Sequence, residues 1–213
     1  MKISVIIPIF NQENWISRCI RSLLNQTMDR KEYQIIVIDD GSNDNSKKLV
    51  ETFGNDLILL VNKKNRGLPY SLNKGIKNSK SKYIVRVDSD DYVNNNFLVF
   101  LYEYIENNKY MDAVACDYHL VDDKENILER KNCLKDPIGC GIIFKSEHLF
   151  NIGLYDNSFL LNEEKEMRIR FEKKYNINRL EIPLYRYRRH TKNITNNTSS
   201  MERHDKLLKE KHK

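Results

Sequence analysis

Long hydrophobic runs are missing from this 213-residue sequence: no apolar stretch approaches the roughly 20 residues that a membrane-spanning helix needs. The four cysteines, Cys19, Cys116, Cys133 and Cys140, form no CxxC pair and join no His/Cys cluster of zinc type, so reduced and mostly buried thiols are expected. The opening stretch MKISVIIPIFNQ has no small-residue cleavage site, and Pro8, Asn11 and Gln12 interrupt its apolar character. It reads as a first strand and not as a signal peptide, which makes a cytoplasmic location the expectation. There is no internal repeat, no RNA-binding aromatic pattern and no helix-turn-helix signature. The net charge of +6 therefore does not make nucleic acid an expected partner; an anionic membrane surface or a phosphorylated small molecule would also suit it.

What is present suits one domain with a real core, since 40% of the residues are apolar and 31% charged. Strand and helix signals alternate through the first half. ISVII (3–7) precedes helically spaced apolar residues from Trp15 to Leu24, and QIIVI (34–38) precedes a helix over Lys47 to Phe53 with SNDNS as its N-capping stretch. LILLV (57–61) and YIVRV (83–87) are followed by helices at Tyr70 to Ile76 and Phe97 to Ile105. Apolar strands separated by helices predict an α/β fold with a mostly parallel sheet covered on both faces. Beyond residue 110 the pattern loosens. Strands are expected at 112–121 and 141–144, a helix at 163–174, a polar linker at 193–200 and a basic helix over the last thirteen residues. The expected organisation is a single domain over 1–192, with a ligand-binding half to 110 and a second half to 192, then a tail over 193–213.

Open sheets of this kind bind ligands beyond the carboxyl ends of their strands. Two acidic groups stand at such ends: Asp39-Asp40, and Asp88, Asp90 and Asp91 within the run DSDD. Three carboxylates in four positions repel one another unless a cation joins them. They are hard oxygen donors, suited to Mg²⁺ or Mn²⁺ bridging to a diphosphate. A turn that caps the helix at 97 would use the same residue types.

In content, order and spacing, SVIIPIFNQENWISRCIRSLLNQT, YQIIVIDDGSNDNS, NRGLPYSLNKGI and YIVRVDSDD resemble family two of the glycosyltransferases. The resemblance implies the GT-A fold, a nucleotide-diphosphate sugar donor, inversion at the anomeric carbon, and a glycan acceptor that is free, lipid-linked or protein-linked. It places Pro8, Phe10 and Glu13 at the start of the nucleotide pocket, with Asp40 at the base beside Asp39. Gly67, Asn73 and Gly75 form the next motif; Gly75 could equally cap a helix. Asp88 and Ser89 would lie near the ribose, and Asp88 and Asp90 at a divalent metal, Mn²⁺ or Mg²⁺. Asp91 is expected behind them or as a helix cap. Arg86, unusual in a buried strand, is either paired with an acid or reaches the donor. GLYDNSFLLNEEKEMRIRF (153–171) resembles the segment that supplies the catalytic base, with Glu164 the candidate and Glu163 its alternative. Acids in a first helical turn also satisfy the helix dipole without any function. YRYRRHTKNIT (185–195) resembles the closing motif, a flexible segment in which His190 would touch metal or diphosphate and Arg188 would offset phosphate charge. The alternatives are a nucleotidyltransferase, disfavoured because PIFNQEN is not a Gly-rich basic loop, and a nucleotide-sugar binder without catalysis. The basic tail, with Leu207 and Leu208 among lysines, could touch an anionic membrane.

Overall fold

The computed structural model describes residues 1–190 and 206–212. Nine strands form one sheet: β1 (Ile3–Ile9), β2 (Tyr33–Asp39), β3 (Ile58–Val61), β4 (Tyr83–Arg86), β5 (Tyr92–Val93), β6 (Ala113–Val121), β7 (Ile127–Lys131), β8 (Ile142–Lys145) and β9 (Ile177–Arg188). The helices are α1 (Ile16–Leu24), α2 (Ser46–Glu51), α3 (Leu68–Lys77), α4 (Phe97–Asn107), α5 (Ser146–Asn151), α6 (Glu163–Glu172) and a last turn and a half, α7, over 206–211. The strand order is β3-β2-β1-β4-β8-β6-β9-β5, with β7 paired to β6. The first four strands are parallel, as expected from their helical crossovers. In the second half β8 runs antiparallel to both β4 and β6, while β9 runs parallel to β6.

Alternation along β1 and β2 builds two cores. Ile3, Val5, Ile7, Ile35 and Val37 pack against α1 and α4 on one face. Ile6, Ile36 and Ile38 pack against α3 on the other, in the core that also holds Met167 and Phe171 of α6. A strand covered on both faces needs apolar residues at every position, which is why these runs are unbroken. Gly75 lies inside α3, where an added Cβ would come within 2.6 Å of Ile38 and 2.7 Å of Ile6. Its job is helix-on-sheet packing, neither the cap nor the ligand contact expected of it.

Four elements lie outside the expectations: β5, β7, α5 and β9. The last is the largest correction, because 185–188 is the end of a twelve-residue strand and not part of a flexible segment. The expected linker at 193–200 and residues 191–192 of the closing motif lie outside the described residues. The basic tail is helical at 206–211 and turns back onto the domain: Lys211 Nζ lies 2.5 Å from Asp156 and 2.7 Å from Glu166. Among the described residues no helix is long and apolar enough to cross a membrane.

Candidate active site

The carboxyl ends of β1, β2 and β4 open into one cavity of about 710 Å³. Pro8, Phe10, Asp40 and Gly67 line one part of it; Arg86, Asp88, Ser89, Asp90 and His190 line another; Glu163 and Glu164 face it from α6. Thus residues from the first and second halves of the chain share one space.

At the β2 end, Asp40 is buried and organises the loop before α3. Its Oδ1 accepts from Asn62 Nδ2 at 2.7 Å and the Arg66 amide at 2.9 Å, and its Oδ2 accepts from the Gly67 amide at 2.8 Å. Gly67 sits at φ 90°, a conformation that favours glycine, and an added Cβ there would come 2.6 Å from Leu160. Leu160 thus brings the 156–162 loop against the loop before α3.

Three residues expected at the ligand have other work. Glu13 accepts from the Asn45 amide and side chain, both at 2.9 Å, and so holds the start of α2. Asp39 accepts from the Ser42 amide and is 1% exposed. Asn73 exchanges hydrogen bonds with the Tyr155 backbone, at 2.8 and 3.0 Å, fastening α3 to the segment before α6. Each is a polar side chain used to satisfy backbone groups of a neighbouring loop.

Arg86 answers the alternative left open for it. Its guanidinium grips both oxygens of Asp88, at 2.7 and 3.1 Å, and its Nη1 donates to Glu163 Oε1 at 2.9 Å. Burial opposes the Arg86 charge, but Asp88 and Glu163 outweigh it and hold its pKa above the usual range. Burial pushes the Glu163 carboxyl up from its ordinary value, with Arg86 opposing and Glu164 adding to the rise. Glu163 is 5% exposed and tied to arginine, whereas Glu164 stands at the cavity wall. Asn162, at φ 59°, turns the chain into α6 so that both acids fall in its first turn.

Asp91 lies behind the cavity. It accepts from Tyr185 Oη at 2.7 Å and from the Arg188 amide at 2.7 Å, and burial raises its pKa well above the ordinary range. Among the described residues, Asp88, Asp91 and Cys140 bring ligand atoms within 4.8 Å of one another. That trio does not suit a hard divalent ion. Burial pushes the Cys140 thiol well up, so it keeps its proton, and a soft sulfur donor is a poor partner for Mg²⁺ or Mn²⁺. Asp88, Asp90 and His190 line the cavity with the carboxylate and imidazole donors that such an ion takes, Asp88 sharing both of its oxygens with Arg86. His190 Nε2 stands 3.0 Å from Asp90 Oδ2. Arg188 is 1% exposed, and its guanidinium meets the carbonyls of Asp90, Asp122 and Asp123, not the cavity as expected.

Sequence reasoning missed Trp15, which stacks on the His190 ring at 5.8 Å, and the loop Pro137–Cys140, which forms the wall beside Glu164. Trp15 was visible only as one apolar residue of a helical pattern. The 137–140 loop has no local signal, because it reaches the site through the β8 pairing alone.

The profile of glycosyl transferase family 2 matches residues 4–164. The poly(ribitol-phosphate) beta-glucosyltransferase of Bacillus spizizenii is 38% identical over 113 residues, covering 51% of this chain and 18% of that protein. The chain spans about a fifth of the length of the first curated relatives it matches. The crystal structure of Staphylococcus aureus TarS 1-349 superposes with a TM-score of 0.80 at 21% identity, covering 98% of this chain and 64% of that one. Mannosyltransferase PcManGT from Pyrobaculum calidifontis, solved with GDP-Man and Mn²⁺, gives 0.75 at 16% identity, covering 95% and 61%. These structures share the GT-A fold with the chain described above. With the family profile spanning most of its length, the chain belongs to glycosyl transferase family 2.

Proposed function

We propose that the chain is the catalytic module of an inverting, metal-dependent glycosyltransferase that moves a sugar from a nucleoside-diphosphate donor to a hydroxyl of a polysaccharide or glycoconjugate. The observation that carries this reading is the placing of Asp88, Asp90 and His190 on one wall of a cavity and Glu164 on another, with Arg86 spanning Asp88 and Glu163 between them. TarS is known in complex with UDP and with UDP-GlcNAc, which supports a donor of this class.

The base of the donor would stack near Pro8 and Phe10, with Asp40 accepting from a ring N–H. Asp88, Asp90 and His190 would hold the divalent cation, which supplies Lewis-acid stabilisation of the charge growing on the leaving diphosphate. Glu164 takes the proton of the acceptor hydroxyl as its oxygen bonds to the anomeric carbon. The bond from that carbon to the diphosphate oxygen breaks in the same displacement, from the opposite side, so the configuration inverts. Glu163, paired with Arg86, fixes the start of α6 and so aims Glu164. Leu160, Leu161 and Ile138 at the cavity wall exclude water from the reacting centre.

The reading is tested by nucleotide release from UDP-GlcNAc, UDP-glucose and GDP-mannose with Mn²⁺ present. One donor should be turned over, and Glu164→Gln should lower turnover by at least about a hundredfold while leaving nucleotide affinity unchanged, as loss of a general base does. A Glu164→Gln chain as active as the parent contradicts it, and a chain that binds a nucleotide but turns over no donor is a binder without catalysis.

A further inference from the structure

Behind the Asp90 side of the cavity, the β6–β7 hairpin ends in a turn over 122–126 whose geometry is fixed from within. Asp122 accepts from the amides of Lys124 and Asn126, each at 2.9 Å, and its carbonyl accepts from the Glu125 amide at 3.0 Å. Glu125 stands at φ 65°. Glycine or asparagine would take that conformation at lower cost, so a side chain with a carboxylate there asks for an explanation.

The carboxylate reaches across to two arginines. Arg18 of α1 donates to it from Nε at 2.9 Å and Nη2 at 3.1 Å, and Arg188 donates from Nη2 at 3.2 Å. Arg188 is buried and ends β9, two residues before His190. Its Nε donates to the Asp90 carbonyl at 2.9 Å, and its guanidinium carbon lies 4.3 Å above the Trp15 ring. Trp15 in turn stacks on His190, with the ring planes 24° apart. A buried guanidinium is costly without a counter-charge; Glu125 supplies one from the protein surface.

We propose that Glu125 is a positioning residue for the Asp90–His190 pair, acting through Arg188 and Trp15. This rests on the metal-dependent glycosyltransferase reading above. Glu125 touches neither the cavity nor the reacting atoms. Its carboxylate, together with the Asp122 and Asp123 carbonyls on Nη1, holds the Arg188 fork in the orientation that secures the Asp90 backbone and supports the face of Trp15. Asp90 and His190, which would hold the cation, are thereby set from outside the site, by residues far from one another in sequence. Arg188, expected at the diphosphate, becomes part of this support.

The test uses the full chain and Mn²⁺ alone, followed by the electron paramagnetic resonance of free ion. Trp15 is the chain's only tryptophan, so quenching of its fluorescence by Mn²⁺ reads the same geometry. Glu125→Gln should weaken Mn²⁺ binding by about tenfold, the usual effect of losing a group that orients metal ligands, and should lower the melting temperature because Arg188 loses its counter-charge. Arg18→Ala removes the other partner of Glu125 but keeps the carboxylate that Arg188 uses, and should leave Mn²⁺ affinity as it was. If Arg18→Ala weakens binding as much as Glu125→Gln does, Glu125 only anchors the hairpin and the proposal falls. If Glu125→Gln binds Mn²⁺ within twofold of the parent, it also falls. A parent chain that binds no Mn²⁺ by either readout overturns the metal-dependent reading itself, and this proposal with it.

Discussion

Gly139 has no side chain where one would strike two functional groups at once. An added Cβ would come 2.7 Å from Arg86 Nη1 and 2.9 Å from Glu164 Cβ. The Arg86 fork can yield, but the Glu164 Cβ belongs to a helix that cannot move alone. Gly139→Ala should therefore lower turnover by about tenfold or more, because displacements below 1 Å at a reacting group are expensive. The fall should appear in kcat and not in nucleotide affinity, and steady-state kinetics on Gly139→Ala beside the parent checks it. Arg86 behaves differently. Its removal would leave Asp88 and Glu163 without their common partner, and Arg86→Met should cost about 3–5 kcal/mol by urea denaturation. At this scale the sequence was legible at 88–91, where a buried strand runs into three carboxylates. It was not legible at Gly139 or Glu125, whose partners stand far along the chain and follow no fixed spacing.

Among the elements, the pairing of β6 with β9 depends on one buried acid. Asp117 is 0% exposed; it accepts from Arg179 at 2.8 and 2.7 Å and from Arg130 of β7 at 2.9 Å. Burial opposes its ionisation, yet the two arginines and the Cys133 amide bring its pKa down to about 2. The folded value lies below the unfolded one, so the stabilisation is complete above the ordinary carboxyl range and fades as pH falls through about 2. Asp117→Asn should cost roughly 2–3 kcal/mol at pH 7. The gap between variant and parent should narrow below about pH 4 in urea melts, given the ordinary aspartate value. A gap that stays constant with pH would place the effect in packing. The register of β6 on β9 shifts on either side of Asp117, which breaks the period of two along both strands. That irregularity hides β9 from pattern reading, and β7 is hidden because four of its five residues are exposed and bury no apolar face. β1, β2 and β4 were legible for the opposite reason, being buried on both sides, and β3 through its unbroken apolar run although it lies half exposed at the sheet edge.

Across the whole molecule, the parallel half supplies the end that would receive the donor, and the mixed half supplies Glu164, the 137–140 wall and the β9 strand that leads to His190. The first half is readable from sequence because crossover helices and apolar strands leave a strong local pattern. How the second half closes over it is not, since α6, β8 and β9 find their places by tertiary pairing. In the proposed enzyme a cation held by Asp90 completes a nucleoside-diphosphate site in this cavity. Calorimetric titration of UDP and GDP into the parent chain and Asp90→Ala, with Mn²⁺ and with chelator, reads that dependence. One nucleotide should bind the parent only with Mn²⁺, and Asp90→Ala should lose that binding; equal binding with chelator, or undiminished binding by Asp90→Ala, would contradict the proposed site.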